Sequence, residues 1–333
     1  MPTTDPARRT RAEQGGVGRA LLVGLAVLAV VAGTGVAINR GVGPLPGPEE
    51  CRAEVGGVVV ELSTDQAENA STIAAVGVRR ELPARAVSIA LATAYQESKI
   101  TNLDYGDRDS LGLFQQRPSQ GWGTAEQIVD PYYAINAFYD ELVTIDGYQE
   151  LRITEAAQQV QRSGFPEAYE DHAEDARALA SALTGYSPAQ FTCVANPSLD
   201  EASAERPRPS GLTPRAEEVR RALDEAFGEL ALGGFAPGGV STGHSEGSAH
   251  YDGRAIDVFV RPVNESNNRA GWAIAHYLVA HADRLLVDHV IFDDRIWSGS
   301  RSEEGWRDYD APSGAGDPVI LEHRDHVHVD VLA

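Results

Sequence analysis

The sequence predicts a multidomain chain: an N-terminal transmembrane helix, then an all-α domain, then a small α+β domain. Three observations predict it. Ala20 to Ile38 is apolar and carries no charge. Residues 51–194 show mainly helical spacing of apolar residues, whereas residues 213–333 mix helical spacing with short alternating stretches.

The basic start holds Arg8, Arg9, Arg11, Arg19 and Arg40 against Asp5 and Glu13, while the whole chain carries −21. Residues 1–19 therefore read as a cytoplasmic tail and residues 20–38 as a membrane anchor. A cleaved signal peptide is the alternative, but the apolar run exceeds a usual signal core. The expected location is the cell membrane, single-pass, with the later domains outside and the cytoplasmic membrane as one partner. An acidic body excludes a nucleic-acid partner, because phosphate neutralisation needs a basic surface. The sequence names no protein partner.

Gly41 to Glu50 is a Gly- and Pro-rich stalk. Cys51 and Cys193 are the two cysteines, and outside the membrane they are expected to pair and close the first domain. Helices are expected from about Asp65 to Arg80, from Pro83 to Glu97-Ser98, from Pro131, from Thr154 to Val160, and from Pro166 to Leu183 with a stop at Gly185. Residues 195–212 are polar and aperiodic, the composition of an interdomain linker.

The second domain opens with Thr213 as N-cap and Pro214 at the first helical position. Strands are expected at Ala255 to Val260, Val287 to Phe292 and His326 to Leu332, with a helix from Arg269 to Leu285. In Ser248 to Asp257 a His and an Asp lie seven apart with Gly253 between them. In Asp325 to Val331, alternation puts His326, His328 and Asp330 on one strand face and the valines on the other. Two imidazoles and a carboxylate make a three-ligand zinc set with a fourth position open. His244, His276, His281 and His289 are expected to be ordinary surface or core histidines. Trp297 and Trp306 suit either core packing or a cleft wall.

Ser248 to Asp257 resembles the S-x-H-x-x-G-x-A-x-D signature of the zinc D-alanyl-D-alanine metallopeptidases and their peptidoglycan-amidase relatives, and His326-Val327-His328 resembles their later H-x-H. The resemblance covers residues 213–333. It implies that His250, Asp257 and His328 bind zinc and that His326 stands beside the metal as a catalytic residue. The general base is open among Glu322, Asp325 and His326, and Asp325 or Asp330 are candidates to orient imidazoles.

Glu97 closes an apolar helix at the edge of a polar loop, where half-burial can raise its pKa towards that of a glycosidic acid. Glu97-Ser98 followed by Gly112-Leu113-Phe114-Gln115 resembles the E-S…G-L-M-Q pattern of lytic transglycosylases and goose-type lysozymes, with Phe114 in the Met position. Ala156 to Pro166 is like the helical close of actinobacterial lysozyme-like domains. This resemblance covers residues 51–194 and implies a lysozyme-like fold with Glu97 as acid/base. Ser98 would orient its carboxylate and Gln115 would line the sugar groove. The A-Y-N-x-G segment of transglycosylases has no evident counterpart, so the group supporting Glu97 is unnamed. Asp104, Asp107 and Asp109 are candidates for a second carboxylate or, alternatively, for calcium ligands.

Together these resemblances imply a membrane-anchored, bifunctional peptidoglycan hydrolase of actinobacterial cell-wall type. It would cleave glycan and, with zinc, an amide of the stem peptide or cross-link. The alternative is a wall-binding component of a secretion, conjugation or envelope assembly with degenerate sites.

Overall fold

The computed structural model describes residue 1 and residues 50–195, 205–313 and 316–333. Glu49–Ala333 forms one compact unit. Its architecture is mixed α/β with two sheets, which corrects the expected all-α first domain. Strands β1 (Glu50–Val55), β2 (Val58–Ser63) and β3 (Phe191–Cys193) form a three-stranded antiparallel sheet in the order β2-β1-β3. The β1–β2 turn uses Gly56 and Gly57, both at positive φ, a conformation that two-residue hairpins demand. Cys51 stands opposite Cys193 in the register and forms a disulfide with it. The bond joins residues 142 positions apart.

Helices α1 (Thr64–Arg79), α2 (Ala84–Ser98), α3 (Ala125–Ile128), α4 (Pro131–Leu142), α5 (Ile153–Gln161) and α6 (Ala173–Leu183) complete this half. Ser63 and Gln66 form a capping box that starts α1, and Asp130 caps α4 ahead of Pro131. Helix α2 is the central one, buried from Ala86 to Ala94. The single helix expected over 166–183 is instead a 3-10 segment, Ala168–His172, followed by α6.

The other half begins with α7 (Pro214–Phe227), where Thr213 accepts from Ala216 N as N-cap. Its six-stranded sheet has the order β4-β5-β9-β6-β7-β8 and is antiparallel throughout. The strands are β4 (Leu232–Gly233), β5 (Ala255–Phe259), β6 (Val287–Phe292), β7 (Arg295–Ser298), β8 (Arg307–Asp308) and β9 (His326–Val331). The expected helix over 269–285 is observed as α8 (Glu265–Ala280) and a short α9 (Ala282–Leu285), with α10 (Pro318–Leu321) leading towards β9. Helix α8 packs against β6 and β9, over the buried faces of Val290, Phe292, Val327 and Val329. The opposite face of β5 and β9 lines a cleft.

Helix α8 also packs on α1 and α6, which joins the two halves. At this seam His276 donates from Nδ1 to Ala182 O (2.9 Å), Trp297 Nε1 donates to Cys193 O (3.3 Å) and Trp306 Nε1 to Phe191 O (2.8 Å). Gly185, at φ +78°, lies so close to Arg269 that a Cβ would fall 2.0 Å from its carbonyl oxygen. Of the expected linker, residues 196–204 lie outside the described residues. The described part is tied down, with Arg208 N donating to Leu212 O and Leu212 fully buried.

Among the described residues no helix is long and apolar enough to cross a membrane. The span expected over 20–38 lies outside the described residues, so neither the transmembrane helix nor the single-pass membrane location has structural support.

Candidate functional site

The register of β5 on β9 sets Asp257 opposite His328. His250 enters from a 3-10 turn, Ala249–Asp252, which Ser248 caps and Gly253 ends in the left-handed region. His250 Nε2, Asp257 Oδ1 and His328 Nδ1 then lie 3.1 to 3.2 Å from one another. Four ligands about 2.0–2.1 Å from a tetrahedral ion stand about 3.3 Å apart, so this triangle fits a zinc-sized ion with little movement.

The far sides of the rings are committed. His250 Nδ1 donates to Gly234 O at 2.8 Å, which leaves Nε2 with its lone pair in the neutral ring. His328 Nε2 donates to Asp330 Oδ2 at 3.3 Å, which leaves Nδ1 free in the same way. Asp330 in turn accepts from His289 Nδ1 at 3.0 Å. His326 stands just outside the triangle, its Nε2 3.8 Å from Asp257 Oδ1. Its Nδ1 donates to Asp325 Oδ1 at 2.7 Å, and Arg261 holds the other Asp325 oxygen. Of the three candidates for general base, His326 is the one that faces the triangle. Glu322 is paired with Arg324 and Asp325 is engaged behind His326.

With the protein groups alone, burial works to raise the Asp257 pKa. Hydrogen bonds and charge from His250 and His328 outweigh it and hold the carboxyl well below the usual carboxylate range. For His328 burial favours the neutral ring, but Asp257 and Asp330 win and raise it to about 9. Ligation by His328 therefore has to release a proton. The cleft has a volume of about 640 Å³ and is walled by Phe259, Tyr309 and His323 among others. Burial, with the nearby charges of His326 and His328, pushes His323 down to about 3, so this wall residue is neutral.

Two residues of this site were not expected from the sequence. Gly234 accepts from His250, and a Cβ on it would meet His250 Cε1 at 2.3 Å and Asp257 Oδ2 at 2.9 Å. His244, expected to be an ordinary histidine, stacks on His250 with centroids 3.8 Å apart and an interplanar angle of 23°. With His250 and Asp257 it makes a further grouping at this site whose spacing suits a metal ion, and Asp288, His289 and Asp330 make another nearby. The run Gly243-His244-Ser245 offers no local periodicity to signal either role. His276 and His281 lie at the seam: His281 pairs with Glu68 and Ser71 across it.

In the first half Glu97 lies in the last turn of α2 and is half-buried. Tyr169, fully buried in the 3-10 segment, donates to Glu97 Oε1 at 2.6 Å. Burial raises the Glu97 pKa, and the hydrogen bonds from Tyr169 and Gln161 only partly offset it. Tyr169, itself raised by burial and the Glu97 charge, stays a donor. The sequence did not reveal this partner of Glu97.

Ser98 does not hydrogen-bond Glu97. It donates to Ala94 O and Leu113 O and so fastens the helix end to the following loop. Gly112 makes that loop possible: its φ is +75°, and a Cβ would fall 2.5 Å from Ile128 O. Phe114 is fully buried and stacks on Phe138. Gln115, half-buried at φ +47°, reaches the carbonyls of Tyr105 and Gly112. Asp109 is committed to Arg117 and Ser119, and no metal-sized grouping of Asp104, Asp107 and Asp109 is present among the described residues.

Residues 208–318 match the family model described as VldE, C-terminal domain. The matched stretch takes in His244, His250 and Asp257 and ends before β9. No curated protein matches the chain.

Proposed function

We propose that the chain is a peptidoglycan hydrolase with two cutting sites, one for the glycan and one, zinc-dependent, for an amide of the stem peptide or cross-link. The observation that carries this reading is the hydrogen bonding behind the two imidazoles. Gly234 O and Asp330 occupy the outer nitrogens of His250 and His328 and turn both inner nitrogens towards the Asp257 oxygen. That is the preparation of a metal site, and two imidazoles with one carboxylate suit zinc. The likeness of Ser248 to Asp257 and of His326-Val327-His328 to the D-alanyl-D-alanine metallopeptidases supports an amide substrate.

When bound, zinc supplies polarisation of the scissile carbonyl and activation of water. The chain's own residues do the rest. His326, oriented through Nδ1 by Asp325, carries protons at Nε2 between the attacking and leaving groups. Arg261 keeps Asp325 charged and fixed. At the other site the Glu97 carboxyl holds a proton for the glycosidic oxygen, and Tyr169 fixes its direction. Asp109 is committed to Arg117 and Ser119, which leaves Asp104 and Asp107 to support hydrolysis or the sugar's own 6-hydroxyl to give an anhydro product.

The test is mass spectrometry of fragments released from purified peptidoglycan by the zinc-loaded chain. Glu97→Gln should remove the new glycan ends and His250→Ala the new peptide termini, each leaving the other. Intact polymer after treatment with folded, zinc-loaded protein would overturn the reading and point to wall binding without cleavage.

A further inference from the structure

His244 lies in a glycine-rich loop beside the three-donor triangle. Gly238, Gly239, Gly243 and Gly247 all have positive φ, and a Cβ added at any of them would meet nothing within 4 Å. This loop is thinly packed and rich in residues that tolerate large backbone rotations. One point in it is held firmly. The Tyr251 phenol oxygen accepts from His244 N at 3.1 Å and donates to His244 O at 2.5 Å. Tyr251 directly follows His250 on the same 3-10 turn. The turn that presents His250 therefore also clasps His244 against it.

One donor atom each from His244, His250 and Asp257 lie within 4.8 Å of one another, and His328 Nδ1 is 3.1 Å from both His250 Nε2 and Asp257 Oδ1. The stacked His244 ring thus stands beside the three-donor point, close enough for a small loop movement to make it a fourth donor. Three donors leave a tetrahedral zinc open, as catalysis requires, whereas four close it. The four are unequal. His250 and His328 each have an outer partner on the second ring nitrogen, in Gly234 O and Asp330. Such partners strengthen ligation about 10–100-fold. The hydrogen bonds that hold His244 run through its backbone, so its ring is the weakest donor of the set.

On the zinc reading of this centre, we infer that His244 is a fourth, displaceable zinc ligand, carried on a hinged loop that closes the metal to solvent until the loop swings away. The hinge points are Gly243 and Gly247, and Tyr251 is the clasp. Peptide entering the cleft competes with His244 for the same position, so substrate itself opens the site.

Cobalt(II) in place of zinc in the full chain reads this directly, because its visible absorption reports the number and kind of donors. The wild-type chain should take up one cobalt at this centre and show a four-donor spectrum. His244→Ala should lose a nitrogen donor and bind added azide about tenfold more tightly, since azide enters only an open position. Tyr251→Phe should keep the wild-type spectrum but gain azide affinity, because only the clasp is lost. If His244→Ala keeps both the wild-type spectrum and the wild-type azide affinity, the inference is overturned and the zinc centre stands. If His250→Ala leaves the cobalt spectrum unchanged, the centre itself and the inference fail together.

Discussion

His250 donates from Nδ1 to the carbonyl of Gly234 at 2.8 Å, and this bond fixes which nitrogen faces Asp257. Gly234 has φ +78° and no room for a side chain beside the ring. Gly234→Ala should displace His250 and Asp257 together and lower zinc affinity by about tenfold or more. Competition against a chromophoric chelator measures it. An unchanged affinity would show that the imidazole does not need this partner.

Glu97→Gln should reduce glycan cleavage by about 10²–10⁴-fold and leave amide cleavage intact. A general acid works while protonated, so the rate should fall as pH rises through the Glu97 pKa. Burial places that limb above the ordinary carboxylate value. The hydrogen bond from Tyr169 opposes burial, so Tyr169→Phe should move the limb to still higher pH. Release of glycan ends as a function of pH checks both effects.

His276 is fully buried between the halves, and burial pushes its pKa down to about 4. Its folded pKa lies below its unfolded one, so its stabilising contribution is complete above about pH 6.5 and is lost as pH falls towards 4. The drop is of order 3 kcal/mol at most. Denaturant midpoints at pH 7 and 4.5 should differ by more in the wild type than in His276→Phe, where nothing titrates.

Replacing Cys51 and Cys193 by Ser should cost about 2–5 kcal/mol, because the bond closes a very long loop in the unfolded chain. Thermal unfolding with and without reductant should show the same loss in the wild type only.

The parts of the site that were legible in the sequence are those whose geometry is local. Gly253 turns the chain between His250 and Asp257, and strand alternation puts His326 and His328 on one face, so spacing alone carries them. The disulfide was legible because only two cysteines exist. Gly234 and Tyr169 were not, because each meets its partner far along the chain, 16 residues away for Gly234 and 72 for Tyr169. His244 was missed for a related reason: its place depends on the path of a glycine-rich loop and on a phenol seven positions away. The expected all-α first half failed at Val55-Gly56-Gly57-Val58, a hairpin turn between β-branched residues that the stalk and the helices around it obscured. The family resemblance gave Ser98 the task of orienting Glu97, but neighbours in a helix point in different directions, and Ser98 bonds Leu113 O instead.

The tryptophan contacts at the seam have a consequence for solubility. Strand β3 is the outer strand of its sheet, and its inward ladder to β1 runs through Gln190 and Val194. The carbonyls of Phe191 and Cys193 face the other way, as the unpaired rim to which a foreign strand could add. Trp306 and Trp297 each donate an indole N–H to one of them. The rim is thereby capped by side chains of the neighbouring half, and this edge of the sheet is protected from strand addition only while the halves stay docked. Anything that parts them turns a quiet border into a nucleus for aggregation.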